Sequence, residues 1–189
     1  MQRFKVSLVL LAAALPVAAH GQSTATGNVA VGGNVALICI LGDPTPSLVD
    51  LGQMVTTSGP RAGRIATIAS RSVALAGSFC NFAGSAVKVD ATALRSADTT
   101  APPAGFARAV NFTATATGWA TTAAAATTAA VANGSSATAS GTGSTQPLPK
   151  ISDIGLTLSG FTAPGDAILV AGSYSGTIVV TLGPAATAQ

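Results

Sequence analysis

The stretch "AGSYSGTIVVTLGP", Ala171 to Pro184, sets Tyr174, Gly176, Ile178, Val180 and Leu182 on one parity. Ser173, Ser175, Thr177 and Thr181 fall on the other, where Val179 is the one apolar residue. A period of two predicts a half-buried closing strand. The same pattern recurs along the chain. In "GNVAVGGNVALICIL", Val29, Val31, Gly33, Val35, Leu37, Cys39 and Leu41 share a parity, and Gly32-Gly33 interrupts the run as a turn or hinge. One short strand is expected before that break and a more buried strand after it. "GDPTPS" is a turn cluster.

Further strands are expected at "SLVDLGQMV", "RIATIAS" and "SVALAGSFC", the last with Val73, Leu75 and Phe79 on one face. "AGSAVKVDATAL" sets Val87, Val89, Ala91 and Ala93 against Lys88, Asp90 and Thr92. "RAVNFTATATGW" sets Val110, Phe112, Ala114 and Ala116 against Asn111 and the threonines 113, 115 and 117. "SDIGLTLSGF" points Ile154, Leu156 and Leu158 inward, and "TAPGD" is a turn. Many short alternating runs, Gly/Pro turns and no apolar helical stripe predict an all-β sandwich or barrel.

Residues 120–145 are an Ala/Thr/Gly/Ser low-complexity stretch. Threonines among the alanines, and the lack of a docking stripe, argue against a helix. A surface loop or hairpin is expected, with exposed and poorly packed chain over 113–146 because small side chains offer little area to offset ordering entropy.

The N-terminus changes the compartment. Arg3 and Lys5 precede the apolar run "VSLVLLAAALPVAA", and "AHG" is a small-x-small cleavage site, so residues 1–21 are predicted to be a signal peptide. The exported chain then begins at Gln22. It holds seven Lys and Arg against six aspartates, with no glutamate. The bases are scattered, which gives no nucleic-acid footprint. No later run is apolar enough to span a bilayer.

The one histidine is His20; the alternative cut after Ala19 would retain it, and with cleavage after Gly21 the mature chain lacks His and Glu. It thereby lacks the usual general base and the commonest transition-metal ligand, and has no Asp-x-Asp-x-Asp calcium loop. These features predict a protein that is not an enzyme, with no metal and no cofactor. Cys39 and Cys80 are the two cysteines of an exported chain and are expected to pair. Trp119 and Tyr174 are read as aromatics filling a core edge rather than sugar-stacking platforms.

The leader, the alternating N-terminal segment, Cys39 in the first core strand, Cys80 in "GSFCNFAGSAVKVDATAL" and the closing "GSYSGTIVVTLGP" together resemble exported bacterial pilin-like subunits of the chaperone–usher kind, especially the spore-coat-U-like branch. The resemblance implies an immunoglobulin-like sandwich lacking its last strand. It also implies a periplasmic chaperone, an outer-membrane usher, and completion of each subunit by the N-terminal extension of another copy or a related subunit. Carried onto this chain, residues 22–33 are the extension, with Val29 and Val31 as donor plugs, and 34–183 the sandwich. Ile178, Val180 and Leu182 form the acceptor edge, and 184–189 are a tail. The implied destination is the periplasm and then the cell surface, as a fibre or coat subunit serving adhesion or biofilm. The family usually ends within a residue or two of its last strand, whereas "AATAQ" follows Pro184 here. The alternative is a self-contained secreted sandwich that binds a carbohydrate or another surface partner.

Overall fold

The computed structural model describes residues 24–185. The predicted signal peptide and the end of the tail lie outside the described residues. The chain divides after Val35 into two units. Residues 24–35 contain no strand.

The larger unit is an all-β sandwich. Its strands are β1 (Cys39–Ile40), β2 (Pro44–Thr45), β3 (Arg71–Cys80), β4 (Ser85–Thr92), β5 (Leu94–Ser96), β6 (Phe106–Ala107) and β7 (Ala109–Thr117), followed by β8 (Ala124–Thr127), β9 (Thr138–Thr142), β10 (Lys150–Thr162), β11 (Ile168–Leu169), β12 (Tyr174–Ser175) and β13 (Ile178–Pro184). One sheet runs β1-β3-β10-β7-β5-β12, with β2 also on β3 and β8 also on β7. The other runs β13-β4-β9, and β6 and β11 form a small parallel ribbon.

Alternation places the core. Val87, Val89 and Ala91 of β4 are buried, as are Val110, Phe112, Ala114 and Ala116 of β7 and Ile154, Leu156 and Leu158 of β10. These are the inward sets that period two predicts.

Four expectations are corrected. In β3, Val73 and Leu75 point inward, but Phe79 does not share their face: Ser78 and Cys80 are the buried pair. Between the pairs Leu75–Ile154 and Ser78–Ser152, two residues of β3, Ala76 and Gly77, oppose one of β10, Asp153, and the extra residue is Gly77 at φ 69°. This bulge reverses the parity of all that follows. The segments expected as strands at 47–55 and 64–70 meet at one isolated bridge, Val55 to Ile65. At the N-terminal side, neither a strand before Gly32 nor a long strand after it forms; pairing starts at Cys39.

The fourth correction concerns the low-complexity region. It holds β8 and β9 and supplies Ala124, Ala126, Ala130 and Ala137 to the buried set. Small residues were read as poor packers. Here they let the two sheets approach until backbone meets backbone. A Cβ on Gly141 would stand 1.8 Å from the Ala125 carbonyl oxygen, and one on Gly143 would stand 2.8 Å from that of Thr122.

Candidate functional site

The closing run is two strands rather than one. β12 pairs with β5 in the first sheet, and β13 pairs with β4 in the second. The chain crosses between sheets at Gly176-Thr177, where Thr92 N–H donates to the Thr177 carbonyl at 2.8 Å. Only glycine fits at 176, since a Cβ there would lie 2.6 Å from the Thr92 oxygen.

After the crossing, β13 has β4 on one side and, among the described residues, no strand on the other. Ile178, Val180 and Leu182 face inward yet are only half-buried, while Val179 and Thr181 are exposed. β13 is thus an edge strand whose inward apolar side chains are half-covered.

Beside the start of β13 is a groove of about 320 Å³. One wall is Gly176 to Ile178, and the other is the unpaired segment from Pro46 to Leu51 with Pro44. The floor is Val73, Leu94, Phe112, Leu156, Leu158 and Phe161, so core side chains from four strands line it. Pro44 and Pro46 lack N–H donors, which suits a segment that forms no long ladder. Leu48 on that wall is 79% exposed.

Of the residues singled out from sequence, Ile178 lines the groove, and Val180 and Leu182 continue the same edge beyond it. Val29 and Val31, in the separate unit 24–35, are 86% and 94% exposed. Cys39 and Cys80 are directly opposite across β1 and β3 and form the disulfide, with Cα atoms 4.2 Å apart. The wall at 46–51 was missed as a site. Its signal was Leu48, Val49 and Leu51 following two prolines.

The two rare aromatics sit in the body. Trp119 is buried, its Nε1 donates to Ser85 Oγ at 3.3 Å, and Lys150 Nζ lies 5.8 Å from its ring centroid. Tyr174 opens the closing run. Its hydroxyl donates to the Val170 carbonyl at 2.7 Å, four residues upstream, and burial pushes its pKa up.

Charge is concentrated away from the groove floor. Arg61 forms a bidentate pair with Asp166 at 2.8 and 3.1 Å, and Arg64 reaches both the carboxylate and the backbone oxygen of the same residue. The Arg61 hydrogen bonds, and then the charges of both arginines, hold the Asp166 carboxyl below its usual range. Arg108 is nine-tenths buried, donates from Nη2 to the Asn133 carbonyl at 2.7 Å, and leaves Nε without a partner.

Among the described residues no cluster of three His, Cys, Asp or Glu could hold a metal, and no helix is long and apolar enough to cross a membrane. The groove offers apolar side chains and an open backbone edge. That chemistry receives an extended peptide, with main-chain hydrogen bonds for affinity and alternate side chains for register. Comparison of the chain with protein-family models, with curated proteins and with solved structures found no match.

Proposed function

We propose that this protein is a structural subunit of a bacterial surface fibre or coat, joined to its neighbours by strand exchange. Residues 24–33 of one copy, carrying Val29 and Val31, enter the groove of the next and pair with the free edge of β13. The observation that carries this reading is the combination at that edge: an unpaired strand beside a groove whose floor is the domain core.

Two further features support it. The Tyr174 hydroxyl donates to the backbone four residues upstream at the start of the closing run, the kind of bond that a tyrosine corner makes in immunoglobulin-like sandwiches, here without that motif's neighbouring cysteine. The alternating segment 24–33 contains apolar side chains and lacks a strand partner among the described residues. In this reading the protein is exported, a periplasmic chaperone covers the groove before assembly, and an outer-membrane usher orders the subunits.

The test is assembly. With chaperone and usher supplied, the intact protein is expected to give ladders on unheated SDS gels, because leaving the groove reopens a core and is slow. Deleting Gln22 to Gly33 should abolish the ladders and leave a subunit that still accepts a synthetic peptide of residues 24–33. A strictly monomeric intact protein refutes strand exchange. A deletion that unfolds the isolated monomer shows instead that the segment completes its own domain.

A further inference from the structure

The outer face of the larger sheet is built mainly from small or polar residues. Thr113, Thr115 and Thr117 point outward on β7, Gly155 and Thr157 on β10, and Ser72 and Ala74 on β3. One end breaks this rule. Ile40, Phe79 and Ile151 are directly opposite one another across β1, β3 and β10, and so share the outer face. Ile38, two residues before Ile40, extends the row. Ile38 is 45% exposed, Ile40 51% and Ile151 79%. The Gly77 bulge creates the row, since without the parity change Phe79 would face the core.

We propose that this stripe is the packing face for a second copy of the chain, the copy whose groove takes this copy's N-terminal segment. The inference rests on the strand-exchange reading above and adds a second contact to it. The argument is continuity of the chain. Asn81 fixes the point at which the chain enters the body: its side chain donates to the Ala36 carbonyl at 2.8 Å and accepts from Ile38 N–H at 2.8 Å, and its own N–H donates to the Ile38 carbonyl at 3.0 Å. Residues 36–38 are thereby clamped to the end of β3, directly beside the stripe.

From Gly33, the last residue of the donor segment, to Ile38 is five residues, a reach of at most about 18 Å. A neighbour holding residues 24–33 therefore stands within that distance of Ile38. Large apolar side chains aligned at this place, on a face that elsewhere avoids them, are covered by that neighbour. The contact limits swivelling about residues 34 and 35 and fixes the angle between successive subunits. A donor strand alone would leave the linker free to rotate.

The experiment is side-chain footprinting by hydroxyl radicals on the intact protein, as monomer and as assembled ladder, together with electron microscopy of the variant Ile40→Thr/Ile151→Thr. Both substitutions place a β-branched residue at an exposed strand position, which leaves the fold in place. Phe79 and Ile151 are expected to lose most of their labelling on assembly. The variant is expected to form ladders in wild-type yield but fibres with a shorter persistence length. Ladders in which Phe79 and Ile151 label as in the monomer overturn this inference while leaving strand exchange standing, as do variant fibres as straight as the wild type. Protection that arises only when anionic phospholipid vesicles are added assigns the stripe to a lipid surface and overturns it too. Absence of ladders from the wild type removes strand exchange, and this inference with it.

Discussion

The two lateral sides of the sandwich close by opposite means. On one, β8 and β9 bring the sheets together through alanine and glycine, with Ala124 and Ala126 buried and the Gly141 Cα against the Ala125 backbone. On the other, β13 and the Pro46–Leu51 segment stand apart, and the buried side chains of Phe112, Leu156 and Phe161 line the floor of the gap. The low-complexity side is the sealed one, and the side rich in Val, Ile and Leu is the open one. Apolar content alone therefore does not predict closure. Small residues permit backbone contact, whereas the larger inward residues of the edge strand β13 stay half-covered where no strand follows.

The open side relies on a covalent tie. Cys39–Cys80 holds the short edge strand β1 to β3 and closes a separation of 41 residues. Replacing both cysteines with alanine should lower stability by about 4 kcal/mol on the chain-entropy account. Denaturant unfolding of the double variant measures this, and the first amides to lose exchange protection should be those of residues 38–45. Uniform loss across β8 and β9 as well would show that the two sides do not differ in this way.

A smaller effect is expected from testing the sealed side. Gly141→Val places a side chain where no space exists and should cost about 3 kcal/mol, the scale of overpacking in a well-filled interior. Leu48→Ala, on the exposed wall of the groove, should change the isolated subunit by no more than about 0.5 kcal/mol. Equal losses from the two substitutions, measured by chemical denaturation, would erase the contrast.

How much of this was legible depended on how each residue's neighbours were made. In β4, β7 and β10 the alternation names the buried side chains directly, because each strand has partners on both sides of a four-residue middle stretch and one face against the core. Phe79 could not be placed, since a bulge at Gly77 leaves no mark beyond a glycine in a strand. The closing run kept its parity through Gly176, but the change of sheet there is tertiary: it depends on β4 and β5 bending at Ala93 in the same way. The alanine-rich stretch was unreadable for another reason. Burial of an alanine depends on how closely two backbones approach, and its own hydrophobicity says little about that. The edge residues Ile178, Val180 and Leu182 were visible as a pattern, but the wall opposite them has no period to read.

The smallest expected effect lies at the far end of the open side, where Phe161 borders both the groove and the cleft holding Asp166. Asp166 ties the turn at Gly59–Arg61 to the turn at Pro164–Asp166 through Arg61 and Arg64. Its carboxyl is held below the ordinary range, first by the hydrogen bonds from Arg61. In the unfolded chain the group titrates near its free value of about 3.9. The folded state therefore binds the proton less readily. The stabilisation is fully present above that value and is lost as the pH falls through the lower, folded value. Both partners are exposed, so the contribution is small and screened by salt. Asp166→Asn keeps a residue that tolerates the positive φ of 51° at this position and removes the titrating group. Thermal unfolding followed from pH 7 to pH 2 at low salt should show a slightly lower midpoint for the variant at neutral pH. The two curves should converge at the acid end, and the difference should shrink in high salt. A constant offset at every pH would mean that the aspartate acts through its backbone conformation, and that the arginines on the open side contribute nothing through their charge.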